Sequence, residues 1–179
     1  MKGFSRDNLL LSLCGLNCGL CTMRLGGYCP GCGGGEGNQS CKIARCSMEH
    51  GNVAYCIDCG CYPCEKHRTF ADADSFITHQ RHTADLERVR EIGEDAYCAE
   101  QREKIELLQF LLANFNDGRR KSFFRTAVNL LELPELREIV RRLAEVEQLP
   151  LKERAAGAVR LFQQAAEQQG VDLKLRKKK

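Results

Sequence analysis

Cysteine is the residue through which this chain can do chemistry. Eleven of its twelve cysteines fall between Cys14 and Cys64, and four pairs have two residues between them: Cys18 and Cys21, Cys29 and Cys32, Cys56 and Cys59, Cys61 and Cys64. A C-x2-C pair lets two sulfurs converge on one centre, and two such pairs complete a four-thiolate shell. Cys18 and Cys21 with Cys29 and Cys32 form one candidate set. Cys41 and Cys46 with Cys56 and Cys59 form another, leaving Cys14 and Cys64 spare or exchanging into the sets. His67 follows Cys64 at a C-x2-H spacing and is a possible further ligand, as is Cys61.

The metal has two readings. Cys29-Pro30-Gly31-Cys32-Gly33 and Cys56-Ile57-Asp58-Cys59-Gly60 read like zinc-ribbon knuckles, so zinc is the leading expectation. Thiolates also hold iron–sulfur clusters, which makes a [4Fe–4S] cluster the alternative, although no spacing here matches the bacterial ferredoxin run.

A disulfide framework would require export. The start offers only Leu9 to Leu13 as an apolar run, broken by Ser12, which is shorter than a signal core. The expectation is a cytoplasmic protein with reduced thiols and no membrane span.

The remaining motifs exclude more than they assign. The chain has no P-loop, no G-x-S-x-G and no H-E-x-x-H, so no catalytic constellation is recognisable. Net charge is +3, and five of the last six residues are basic, so the rest is near −2. That balance makes nucleic acid an unlikely partner, and another protein the expected one. A nucleic-acid-associated zinc protein is kept as a third reading on the strength of the tail. Arg119, Arg120, Lys121 and Ser122 open a helix, where cations are locally unfavourable unless an anion or an acidic partner binds there. His79 and His82 lie three apart beside Arg81 and Asp85 and read as a solvated helix face. Cys98 stands alone and reads as a small buried hydrophobe.

Residues 14–64 are rich in Gly and poor in large apolar side chains, so the segment needs metal staples to fold. Gly26, Gly27, Gly31, Gly33, Gly34, Gly35 and Gly37 surround the central cysteine pair and permit tight turns. From about Asp74 the pattern becomes helical. Ile105, Leu108, Leu112 and Phe115 recur at three- and four-residue steps, stopped by Asn116-Asp117-Gly118. A second helix carries Phe124, Ala127, Val128 and Leu131. Pro134 starts a third with Leu136, Ile139 and Leu143 inside. Pro150 starts a last one with Leu151, Ala155, Val159, Phe162 and Ala166 inside. The predicted fold is mostly α: a small irregular cysteine-rich metal-binding module at 1–70, packed on a helical bundle at 71–179 with a basic C-terminal tail.

Cys14-Gly15-Leu16-Asn17-Cys18-Gly19-Leu20-Cys21 is similar to the opening motif of domain of unknown function family 3795. The blocks Cys29 to Cys32, Cys41 to Cys46 and Cys56 to Cys64 follow in the order that family would have. Asp117 to Phe124 and Leu173 to Lys177 resemble its longer members, so the resemblance covers nearly the whole chain. Members are small cysteine-rich proteins of bacteria and archaea, common in anaerobes and expected to bind metal. The resemblance implies ten ligands: Cys14, Cys18, Cys21, Cys29, Cys32, Cys41, Cys46, Cys56, Cys59 and Cys64. It brings no reaction with it. The function expected from the sequence is a non-catalytic interaction module folded by zinc, with an iron–sulfur electron carrier as the alternative.

Overall fold

A computed structural model of the chain describes residues 2–35 and 41–177; Gly37 and the last two tail residues, Lys178 and Lys179, lie outside the described residues. Among the described residues there are eight α-helices and no strand, in agreement with a mostly α fold. They are α1 (Thr22–Leu25), α2 (Lys42–Glu49), α3 (Glu65–Arg68), α4 (His82–Ile92), α5 (Glu94–Asn114), α6 (Lys121–Leu130), α7 (Leu133–Leu143) and α8 (Leu151–Gln168). No described helix is long and apolar enough to cross a membrane.

The chain forms two compact units. One comprises residues 1–101 with the terminal segment 175–179, the other residues 102–174. The first unit runs well past residue 70, for a reason that lies in its apolar residues. Leu11, Tyr55 and Ile57 cluster with Leu86, Val89 and Tyr97 from α4 and α5. A sparse cysteine segment thus borrows helices from further along the chain to bury its few large side chains. A smaller cluster joins Leu13, Cys14, Ile43 and Ala44, with Phe4, Leu16, Cys32, Cys56 and Phe70 packed against it.

The same unit holds a buried polar network. Tyr97 Oη donates to Asn17 Oδ1 at 2.7 Å, and Asn17 Nδ2 donates to Asp85 Oδ2 at 2.8 Å. Arg81 Nε lies 3.4 Å from Asp85 Oδ1. The terminal segment is tied to the same unit. Arg176 donates its backbone amide to Asp74 Oδ2 at 2.7 Å and its guanidinium to Asp74 Oδ1 at 3.1 Å, and its carbonyl accepts from Asp74 at 2.9 Å.

The second unit is an ordinary helical core. Leu108 and Phe115, Phe124, Ala127, Val128 and Leu131, Leu136, Ile139 and Leu143, and Ala155, Phe162 and Ala166 are buried as the periodicity predicts, and so is Leu111, whereas Ile105, Leu112 and Val159, expected on the same faces, are half-buried. Pro134 sits in the first turn of α7, and Arg141 and Arg142 in its last turn complement the carbonyl end. Pro150 caps α8. The buried Lys104 donates to the Leu131 carbonyl at the end of α6, at 2.8 Å. Leu151, expected inside, is exposed: it is the first residue of α8, before the apolar face turns inward.

Candidate metal centre

Two knuckles of the same backbone shape carry the cysteine pairs. In the first, Cys18–Leu20 makes a single 3-10 turn, and the Cys21 amide closes on the Cys18 carbonyl at 3.1 Å. In the second, Cys56–Asp58 does the same, with the Cys59 amide on the Cys56 carbonyl at 3.1 Å. Each closing cysteine is extended, with φ −76 and ψ 129 at Cys21 and φ −77 and ψ 134 at Cys59. One segment supports both. The Leu10 carbonyl accepts from Gly19 at 2.9 Å, and the Leu13 carbonyl accepts from Cys56 at 2.8 Å.

Gly15 is required where it stands. Its φ of +89 disfavours a side chain, and a Cβ there would collide with the His82 carbonyl at the start of α4. Ser12 closes the same turn: its hydroxyl accepts from the Leu16 amide at 2.8 Å and lies 3.1 Å from Cys14 Sγ.

The cysteines fall into two neighbouring sets. Cys14, Cys18, Cys29, Cys32 and Cys41 line an open cleft of about 960 Å³, together with Phe4, Leu16, Ile43 and Phe70. Cys46, Cys56, Cys59 and Cys64 line a separate cavity of about 30 Å³ walled by Leu13, Ile43, Val53 and Tyr62. Ile43 and Lys66 border both. Of the first set that the spacing predicts, Cys18, Cys29 and Cys32 share the cleft, and Cys21 is not among the residues that line it. In the second set the structure places Cys64, rather than Cys41, beside Cys46, Cys56 and Cys59. Cys61 is exposed and lines neither cavity.

All twelve cysteines are free thiols. Burial pushes the Cys14 thiol well above its ordinary value, and pushes Cys18 and Cys56 up to about 12, with neighbouring thiols adding to each shift. Burial also raises Cys32, although the Leu13 amide and Arg6 both hydrogen-bond to its sulfur. Thiols held this way ionise together only when a cation or cluster compensates their charge.

The spacing of the sulfurs bears on which group that is. A tetrahedral zinc with Zn–S near ~2.3 Å draws its thiolates to roughly 3.8 Å from one another. Among the described residues, the only three ligand atoms of His, Cys, Asp or Glu lying within 4.8 Å of one another are those of Cys46, Glu49 and His50. No three cysteine sulfurs come that close. The second cavity also keeps room among its four thiols for about two waters, at roughly 10–15 Å³ each. As they stand, no three sulfurs have the spacing of a bare zinc ion's ligands.

The histidines depart from expectation. His79 and His82 are 5% exposed, and only His82 belongs to α4. They are not a solvated face, because α4 begins against Gly15 and carries His82 inward. His82 Nδ1 lies 3.1 Å from His67 Nε2, so one ring donates to the other. His79 stacks on Phe70 at 4.2 Å and contacts the Phe70 carbonyl and Ser75 Oγ, each at 2.9 Å. Burial lowers the pKa of all three rings, His67 to about 4, with the charge of His82 adding to that shift. His67 lines the second cavity, as its spacing suggested. Cys98 is buried, as expected, and accepts from Asn8 Nδ2 at 3.2 Å.

The turn that leads into α6 is closed by side chains. Asn116 Oδ1 accepts from the Gly118 and Arg120 amides, and Asp117 Oδ1 from the Arg119 amide. Arg120 pairs with Asp117 at 3.4 Å, and Ser122 Oγ accepts from Arg125 at 3.1 Å. The bonds of Asn116 and Asp117 close the turn at residues 118–120, ahead of the first turn of α6. Sequence reasoning missed Arg6, Ser12, Tyr97 and Asp85; only Asn17 lay within a motif.

No protein-family model, no curated protein and no solved structure matches the chain.

Proposed function

We propose that the first unit is an iron–sulfur module, with one [4Fe–4S] cluster at each cysteine set, that relays single electrons between proteins. The observation that carries this is the sulfur spacing: thiols gathered by fours and more around shared cavities, with no three of them within 4.8 Å of one another. When bound, such a cluster takes up and releases one electron. The chain's part is to hold and tune it. Thiolates of Cys14, Cys18, Cys29, Cys32 and Cys41 would anchor one group, and those of Cys46, Cys56, Cys59 and Cys64 the other. Leu13, Ile43, Val53, Leu16 and Phe70 would keep water from the sulfurs. The amides of Cys32 and Leu13 already hydrogen-bond to the sulfurs of Cys18 and Cys32. The electron comes from a reduced one-electron carrier protein and leaves to an oxidised one, and no covalent bond is made or broken. Cytoplasmic residence and kinship with family 3795 belong to the same proposal, resting on the free thiols and on the Cys14 to Cys21 motif.

The test is iron, zinc and acid-labile sulfide content after strictly anaerobic purification, with spectra before and after dithionite. About eight irons with matching sulfide, and a brown colour that bleaches on reduction, are expected for two cubanes. Zinc without sulfide would overturn the reading. It would direct attention to a single ion, for which Cys46, Glu49 and His50 offer the tight donor set.

A further inference from the structure

Arg6 reaches the first cysteine set and is fixed there from several sides. Its amide donates to the Gly33 carbonyl at 3.3 Å. Its side chain crosses the Gly33 α-carbon so closely that a Cβ there would stand 2.9 Å from Arg6 Cβ and Cγ. Its guanidinium lies 4.8 Å over the Tyr55 ring, a cation–π distance. Nη1 donates to the Leu11 carbonyl at 2.7 Å and the Asn8 carbonyl at 3.3 Å, and a further bond goes to the Cys32 sulfur. Tyr55 is itself held, donating to Glu94 Oε2 and accepting from Asn8 Nδ2, both at 2.8 Å. Asp7 and Glu94 share a polar cavity of about 390 Å³ with Arg6.

The second set has a different complement of charge. Lys66 bonds to Cys46 but stands exposed, so solvent and salt screen it. Arg90 is directed to the Ile57 carbonyl at 2.6 Å.

Adding an electron makes a thiolate-held site more negative. A fixed cation with an N–H directed at one ligand sulfur stabilises the reduced form more than the oxidised form, and more so where water is partly excluded. We infer that Arg6 makes the first cysteine set the easier of the two to reduce, so that an electron entering the protein comes to rest there. This rests on the iron–sulfur reading. It adds a direction of flow, from the enclosed set with Cys56 toward the open cleft with Cys32, where an acceptor can approach exposed Cys41.

The test is an anaerobic redox titration of the full chain followed by electron paramagnetic resonance. Cys46→Ala disables the second set and is expected to leave the higher of two midpoints. Arg6→Gln is expected to weaken reduction of that site at least tenfold, about 59 mV for one electron, with the other midpoint unmoved. Arg6→Lys keeps the charge and should lose about threefold or less; it also keeps the question open to measurement if Arg6→Gln does not load. Lys66→Gln should leave the higher midpoint in place. Equal shifts of both midpoints, no shift in Arg6→Gln, or a lower midpoint surviving in Cys46→Ala would overturn the inference while leaving the clusters established. A colourless protein without sulfide would remove the reading beneath it as well.

Discussion

The two units bury their interiors by different means. Residues 102–174 exclude water mainly with Leu, Ala and Phe side chains at helical spacing, the rings of Phe123, Phe124 and Phe162 meeting edge to face, and add the buried Lys104, Arg125, Thr126 and Asn129. The described residues of 2–101 bury Asn17, Asp85, three histidines and the thiols of Cys14 and Cys98, and half-bury most of the other thiols, beside two modest apolar clusters. The hydrophobic effect is non-directional, so the first kind of core tolerates any residues of about the right volume. The second depends on partners: every buried polar atom left unpaired costs more than its bond contributes. On the proposed reading, the second unit folds on composition and the first on ligation.

The largest effect expected from this contrast follows metal removal. Stripping iron with a chelator under anaerobic, oxidising conditions should abolish amide-exchange protection in residues 11–101 while α6 to α8 stay protected. Persistent protection of the Tyr97 and Leu86 amides after stripping would show that the first unit does not depend on its ligands. In the other direction, Phe124→Ala should destabilise the second unit by about 3–5 kcal/mol in denaturant titration, with metal content unchanged.

A smaller and more local loss is expected from Tyr97→Phe. It leaves Asn17 Oδ1 buried without its 2.7 Å donor, for a cost of about 1–3 kcal/mol. Because Asn17 lies between Cys14 and Cys18, the variant should also release metal faster; unchanged release would place the network outside the site.

Acid should separate the units as well. The folded pKa values of His67, His79 and His82 lie below the ordinary 6.5, so the unfolded chain binds protons that the folded chain refuses. Their contribution to stability is complete above the unfolded value. It falls as pH drops below about 6.5, and His67 stops contributing to the fall near its folded value of about 4. Unfolding midpoints of the first unit should decline over that window and those of the second, which has no histidine, should not follow the same curve. The least effect is expected from Arg137→Ala, which removes an exposed pair with Glu103 at 2.6 Å and should cost under about 1 kcal/mol.

The helical half was legible because its signals are local. Period, Pro134, Pro150 and Gly118 act within one or two turns, and the elements stand where those residues place them. The cysteine half was legible in kind and not in arrangement. Adjacent pairs such as Cys56 and Cys59 declare themselves by spacing, but whether Cys41 or Cys64 completes their set depends on how α2 and α3 return to the knuckle. The histidines show the limit most directly. His79 and His82 sit among charged neighbours in sequence, and only the space left by Gly15, some 67 positions away by their numbering, admits His82 to the interior.

What the sequence by itself determined is the chemistry available: thiols in C-x2-C pairs, a run of glycines around them, and four apolar helical stripes, all readable because each rests on neighbours within a few residues. The tertiary structure alone decided which thiols share a cavity, how far apart their sulfurs stand, and that Arg6 lies against Cys32 and Tyr55. Those are relations between residues distant along the chain, and chain distance carries no information about them until the backbone has folded.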